Sequence, residues 1–360
     1  MAVTTPDIQV FVDAISNLSD AQKVSLSEAI FKEHVQGSQI TKYHQIQTGI
    51  KCNTPIAYMD KGKNWGVMGD ASGLGDACAF NEADLSIVTS VKKWNPQDFN
   101  AEIKYCAKDL ACQVRDYFAS EGCSNADDTA TNYGNMLKEI LGQALINSHW
   151  VRAYFSSATS ANAVLSGIDG LFVQYLAQAP ASNEAQRVLI LENDGATYAE
   201  QNALGDTTGF DTFNKMYELF EENEYLRGRT DCFIKTTRAL ALNYLKQLRK
   251  DKQLNCCERD TTTQIYDINN LNIYGMKIEV VNEWDEIITN IADFNNGTRK
   301  VSPHRAVLTY TENEPIATCD AGELTSVDAL YDPVTRYTHF RMEDTFDVKV
   351  IKDEEFILAM

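Results

Sequence analysis

Apolar residues recur along the chain with two different periods. Between residues 167 and 304, predicted amphipathic helices alternate with short apolar runs that predict strands. This alternation is typical of a compact α/β unit. The predicted helices lie at 5–15, 19–31, 99–118, 135–155, 167–176, 213–220, 236–248 and 284–294, and the strands at 85–94, 188–191, 232–235, 273–281 and 305–310.

The last part of the chain alternates apolar and polar residues with a period of two. Runs at 335–342 and 346–351 predict strands, and the polar residues 343–345 between them predict a hairpin turn. In the second run the apolar side chains face a core, while Asp347 and Lys349 are predicted to face solvent.

Two short helices are predicted before Gly37. The first begins at Thr5-Pro6-Asp7, and the second begins at Ser19, whose hydroxyl forms a capping box with Gln22. Because their apolar stripes are too short to form a core alone, this segment must dock on another surface, in the same copy or in a neighbouring one.

Glycine is frequent over residues 50–75, and the apolar residues there have no period, which predicts a loop. Gly62-Lys63 is followed by asparagine where a phosphate-binding loop needs serine or threonine. A mobile or interface loop is therefore expected in place of a nucleotide site.

The chain has 360 residues, and 51 acidic against 32 basic residues give a net charge of −19. An acidic surface repels phosphate, so sequence-specific nucleic-acid binding is not expected. No apolar run approaches the roughly 20 residues that span a bilayer, and no secretion signal precedes the first helix. A cytoplasmic protein with its nine cysteines reduced is expected.

No residue pattern predicts catalysis, a metal or another cofactor. The histidines are scattered outside any metal-ligand spacing, and neither a GxSxG elbow nor a cysteine-protease signature is present. A cysteine nucleophile with a distant histidine has nothing to support it. The acidic runs 221–222 and 353–355 are predicted to be solvated. The histidines are His34, His44, His149, His304 and His339.

Two C-terminal segments carry a resemblance to a known family. PHRAVLTYTENEPIA at 303–317 and DPVTRYTHFRMEDTFDVKVIKDEEFILAM at 332–360 resemble the closing part of tailed-bacteriophage major capsid proteins of the Hong Kong 97-like fold. Further segments are similar in the same order: GIDGLFVQYLAQA at 167–179, RTDCFIKTTRALALNYLKQLRK at 229–250 and NIYGMKIEVVNEWDEIITNI at 272–291.

The resemblance implies an α+β fold of five parts. They are an N-terminal arm at 1–50, an extended hairpin loop at 51–98, a peripheral domain with a long spine helix at 99–166, an α/β axial domain at 167–304, and return strands at 305–360 that complete the peripheral domain. Possible inter-subunit contacts are Phe11, Phe31, Trp65, Met68 and Trp94.

The implied function is that of a structural shell protein. Copies would assemble into hexamers and pentamers of an icosahedral head, with portal, scaffold and accessory head proteins as partners. Double-stranded DNA would be enclosed without sequence-specific binding, in a virion built in the host cytoplasm and without a membrane. Two alternatives stay open: an encapsulin-like nanocompartment shell, and a soluble cytosolic α/β enzyme.

Overall fold

The computed structural model describes residues 40–57, 91–106, 147–251, 268–319, 328–332 and 337–360. Several predictions fall outside these residues. They are the two N-terminal helices, the first half of the 135–155 helix, most of the 50–75 loop, and the candidate contacts Phe11, Phe31, Trp65 and Met68.

The described helices and strands follow in chain order. The helices are α1 (Ile40–Tyr43), α2 (147–155), α3 (Leu171–Gln178), α4 (Tyr198–Gln201), α5 (Thr208–Glu222), α6 (Arg238–Asp251) and α7 (Asn282–Asn290). The strands are β1 (Ile46–Gln47), β2 (Pro55–Ala57), β3 (Val91–Lys93), β4 (Gln97–Cys106), β5 (Arg187–Val188), β6 (Phe233–Thr236), β7 (Leu271–Ile273), β8 (Met276–Val280), β9 (Asn295–Asn296), β10 (Arg299–Lys300), β11 (Ala306–Thr309), β12 (Ile316–Ala317), β13 (Asp328–Asp332), β14 (Tyr337–Val348) and β15 (Ile357–Ala359).

A six-stranded mixed sheet has the order β5-β15-β11-β6-β8-β7, and its strands β15 and β11 are buried on both faces. Side chains of successive strand residues point to opposite faces, and β11 shows the result. Val307 belongs to a cluster with α2, α3 and α7, whereas Ala306 and Leu308 belong to a second cluster with α5 and α6. Because Lys235 pairs with Val307, its side chain enters the first cluster, which is here called the α2 core.

A second sheet is built around β14, a strand of 12 residues. Strand β14 pairs with β4, β13 and β12, and β12 in turn pairs with β1 in parallel. Among the residues whose side chains are described, this sheet reaches the α2 core through Ile316, Phe346 and Val348. The α2 core therefore joins the two sheets.

Strands β2 and β3 form a separate antiparallel pair, from Pro55 opposite Lys93 to Ala57 opposite Val91. The chain segment 58–90 consequently leaves and re-enters the described structure at neighbouring positions. Residues 55–57 belong to the stretch predicted as loop, so the loop prediction is wrong at this end.

Two predictions about the second sheet are wrong. Residues 99–106, predicted as helix, belong to β4, and residues 343–345, predicted as a turn, lie inside β14. The two strands pair without a break from Gln97 opposite Phe346 to Cys106 opposite Tyr337. The hydrogen bonds of this ladder join backbone groups, so polar side chains do not interrupt it. Pairing with β14, which is distant in the chain, therefore decided the structure of residues 99–106 against their local helical period.

Two strands predicted in what is now the six-stranded sheet also differ from the structure. The 273–281 strand is a hairpin, because Tyr274 and Gly275 form its two-residue turn with φ of 49° and 87°. The 188–191 strand ends at Val188, and Leu189 and Leu191 are exposed by 54% and 77%.

Other predictions are confirmed with shifted bounds. The segments at 167–176, 213–220, 236–248 and 284–294 overlap α3, α5, α6 and α7, and those at 232–235 and 305–310 overlap β6 and β11. Thr237, not Thr236, precedes α6, and the Asp285 carboxylate accepts a hydrogen bond from the Arg238 amide at 2.8 Å. The division into five parts stays a prediction.

Gly170 sets the distance between α2 and α3. A Cβ at this position would lie 2.8 Å from the carbonyl carbon of Tyr154, and the φ of −67° shows that the constraint is steric. We expect Gly170→Ala to lower the free energy of unfolding by about 1–3 kcal/mol, since the α2 core would have to open.

Urea unfolding of the purified protein measures this change in the free energy of unfolding. Gln178→Ala, at an exposed position near the end of α3, is the matched control and should change the stability by less than about 0.5 kcal/mol. Equal stability of Gly170→Ala and wild type would contradict the packing argument.

Candidate functional site

An ion pair lies inside the α2 core. The Lys235 ammonium of β6 contacts the Glu314 carboxylate, and both side chains are fully buried. Glu314 directly follows a turn of 3₁₀ helix at Thr311–Asn313, so it lies between β11 of one sheet and β12 of the other. The pair therefore sits where the chain crosses between the sheets.

Three further side chains complete a buried hydrogen-bond network. Lys235 donates to the Tyr154 hydroxyl at 3.0 Å, and this hydroxyl donates to His44 Nε2 at 2.7 Å. His44 Nδ1 donates to the Glu314 backbone carbonyl at 2.7 Å, and the Tyr175 hydroxyl donates to the Glu314 carboxylate. These donor and acceptor roles place the imidazole proton on Nδ1.

The network, defined as His44, Tyr154, Tyr175, Lys235 and Glu314, draws one residue from each of five chain segments. Apart from the loop that carries Glu314, these are the segment after α1, helices α2 and α3, and strand β6. Sequence separations within the network reach 270 residues. The network holds together segments that are far apart in the chain.

A second set of buried polar contacts fixes the loop that carries Glu314. The Asn313 side-chain oxygen accepts from the Lys352 amide at 2.7 Å, and its nitrogen donates to the Glu355 carbonyl at 3.1 Å. The Glu355 carboxylate accepts from the Tyr310 hydroxyl at 2.5 Å and from the Lys352 ammonium at 2.6 Å. Glu355 is 1% exposed, so the prediction of a solvated 353–355 run is wrong at this residue.

Asp347 is likewise buried, contrary to the predicted solvated face. Its carboxylate accepts from the amides of Asn95 at 2.7 Å and Val348 at 2.8 Å, and Lys349 lies 3.4 Å away. These donors replace water around the charge. Burial nevertheless raises the pKa of Asp347, with Lys349 opposing the shift.

Burial also sets the protonation tendencies of the network. It lowers the pKa of Lys235, raises that of Glu314, and lowers that of His44, where the nearby Lys235 charge acts in the same direction. Whether the proton lies on Lys235 or on Glu314, the two side chains together carry no net charge. A neutral His44 adds none, so the α2 core holds no uncompensated charge at this point.

Arg305 lies on the other side of the α2 core, in a box of three aromatic rings. Its guanidinium carbon is 4.6 Å from the centre of Phe172, 4.9 Å from Phe155 and 5.7 Å from Phe294. It donates to the backbone carbonyls of Ser302 and Val301. Burial lowers the pKa of Arg305 to about 9. The ring faces and carbonyls stabilise the cation, and within the described ranges no carboxylate pairs with it.

Of the predicted contact residues, only Trp94 is described. It is 2% exposed and packs with Ile56, Ala317 and Ile351 of the same chain. Its burial has an explanation within one copy, and a contact with a neighbour stays a prediction.

The described histidines have structural surroundings. His44 belongs to the network, His149 stacks on Phe346 at 5.0 Å, and His304 Nε2 donates to the Gln201 carbonyl at 2.8 Å. Among the described residues no group of three or more His, Cys, Asp or Glu side chains could hold a metal ion. Within the same residues, no helix is long and apolar enough to cross a membrane.

We predict that losing either partner of the ion pair strongly destabilises the fold. Lys235→Met or Glu314→Leu leaves a buried group without its partner and should each cost about 3–5 kcal/mol of unfolding free energy. The double variant removes both groups and should recover most of the loss. Urea unfolding of the three variants and wild type forms the double-mutant cycle, and additive losses would contradict the coupling.

The lowered pKa of His44 leads us to predict a loss of stability in mild acid. Its native pKa is lowered, so as pH falls below about 6.5 the unfolded chain binds a proton that the native chain rejects. Stability present above this pH is lost at up to about 1.4 kcal/mol per pH unit. Unfolding at pH 7.0 and 5.5 should therefore show a smaller loss for His44→Gln than for wild type, and equal losses would contradict it.

Comparisons with known proteins bear on this architecture. No family model and no curated protein matches the chain. A chain in the procapsid of satellite phage P4, which includes the size determination (Sid) protein, aligns with a TM-score of 0.51 and 15% sequence identity, over 92% of this chain and 90% of that chain. A chain from the structure of Mycobacterium phage Ogopogo aligns with a TM-score of 0.50 and 9% identity, over 89% and 91%.

Both alignments extend over about nine tenths of the two chains compared. At identities this low the likeness shows the fold alone. The elements described above are a mixed α+β set, as the sequence predicts. The chain therefore has the α+β fold of phage capsid proteins.

Proposed function

We propose that the protein is a major capsid protein, the repeating subunit of an icosahedral phage head. The observation that carries the proposal is the shared fold over about nine tenths of the chain and of the P4 procapsid chain. In this proposal copies of the chain associate into hexamers and pentamers, and the closed shell encloses double-stranded DNA. The protein acts in the virion as a structural subunit and not as an enzyme.

The described structure supports the Hong Kong 97-like features of the proposal at particular places. Strands β2 and β3 make a paired base for the segment 58–90, as an extended loop reaching towards a neighbour requires. Helix α2, at 147–155, covers the end of the predicted 135–155 helix, which supports the proposed spine helix. The C-terminal strand β15 lies inside the six-stranded sheet, between β5 and β11.

Charge supports the role proposed for DNA. At a net charge of −19 the chain offers the duplex little attraction, so packaged DNA would be confined without being bound by sequence. Portal, scaffold and accessory head proteins are the further partners that such a head needs. Assembly would take place in the host cytoplasm.

The buried network gives the proposed subunit the stiffness that a shell requires. Each copy must present its contact surfaces at fixed angles, because interfaces that repeat around a ring close only at the correct rotation. Joining the two sheets through one satisfied polar network fixes those angles within a copy.

Negative-stain electron microscopy of the purified, expressed protein tests the proposal. We expect closed shells, tubes or rings of five and six copies. Particles that hold DNA or head proteins after expression with the neighbouring phage genes would support the head in particular. Monodisperse monomers or dimers at high protein concentration would overturn the proposal.

A further inference from the structure

A groove lies between α2 and α7 on the surface of the α2 core. Its volume is about 180 Å³. Its apolar walls are Trp150 and Val151 of α2, and Ile287 and Ile291 at α7, while Glu283 and Glu286 line it with carboxylates. An apolar cavity of about 150 Å³ holds a benzene ring, so the groove has room for one aromatic side chain.

Two polar atoms at this groove lack the partners that buried groups normally have. Trp150 is 1% exposed, and its indole N–H makes no hydrogen bond. One carboxylate oxygen of Glu283 is buried and also has no partner. Burial raises the pKa of Glu283, and neighbouring Glu286 adds to the shift. Both atoms are covered by the fold itself, so the groove offers an incoming segment its apolar walls and the exposed carboxylate of Glu286.

These features define the chemistry of the missing occupant. It needs an aromatic or large aliphatic side chain for the groove and a cation for the acidic side of the groove at Glu283 and Glu286. A peptide segment with an apolar residue next to a lysine or arginine supplies both.

The chain itself carries such a segment close by. Residues 1–39 precede Ile40, and Ile40 and Tyr43 are buried in the same cluster as Trp150. The Tyr43 ring lies 6.1 Å from the Trp150 ring, so the preceding chain reaches the described structure beside the groove. Within it stand Phe31 and Lys32. The nine residues from Phe31 to Ile40 can span up to about 30 Å, which is ample for a return to the groove.

We propose that the segment around Phe31 and Lys32 docks in the α2–α7 groove of its own copy. The Phe31 ring fills the space between Trp150 and Ile287, and Lys32 pairs with Glu283 and Glu286. This docking supplies the surface that the short amphipathic helix predicted at 19–31 needs. It does not depend on shell assembly, since every part belongs to one copy.

Zero-length cross-linking with a carbodiimide tests the proposal on the full chain at low concentration. The reagent joins a lysine to a carboxylate only when the two touch. We expect mass spectrometry to find Lys32 linked to Glu283 or Glu286. Phe31→Ser should lower the yield at least fivefold, whereas Phe11→Ser, in the other predicted helix, should leave it unchanged.

Asn290→Lys, at an exposed position lining the groove, should compete with Lys32 and lower the yield. Thr289→Lys, one residue away and also exposed, is the matched control. An equal mixture of ¹⁴N- and ¹⁵N-labelled copies distinguishes the source of the segment. Links within one label confirm docking in the same copy, whereas mixed-label links would assign the groove to a neighbour's segment and overturn the proposal.

Absence of any link from Lys32 to the groove carboxylates would also overturn it. Electron microscopy keeps this outcome separate from the proposed function: shells that form without the Lys32 link would refute the docking and leave the capsid role standing.

Discussion

One buried ion pair carries the connection between the two sheets. Lys235 enters the α2 core from the six-stranded sheet, and Glu314 stands on the loop that leads to the second sheet. Removing two charges from water is costly, and the cost is offset only when every remaining donor and acceptor finds a partner. Tyr154, Tyr175 and His44 provide those partners. The arrangement is therefore satisfied only when all five segments are in place together.

This requirement links packing to function. Apolar contacts alone would tolerate small shifts between the sheets, since hydrophobic burial is not directional. Hydrogen bonds among buried groups depend on distance and angle. The network thus specifies one relative position of the sheets, and a subunit that must fit identical neighbours benefits from such a fixed geometry.

Sequence patterns predicted the helices and strands that have a clear local period, including α3, α5, α7, β6 and β11. They failed where a distant strand decided the outcome, as for β4 and the polar residues inside β14. The network was also missed, although Lys235 at the end of the otherwise apolar run 232–235 is a signal that a buried cation is present. Its partners could not be predicted, because His44 and Glu314 are 270 residues apart and only the fold brings them together.

Hydrogen exchange followed by mass spectrometry tests most directly whether the network makes the two sheets one body. Peptides covering β6 and β11 report on the six-stranded sheet, and peptides covering β1 and β12 report on the other. The account predicts that both sets exchange only through the same cooperative unfolding, with equal dependence on urea. Faster exchange of β1 and β12 through a separate opening, while β6 and β11 stay protected, would contradict it.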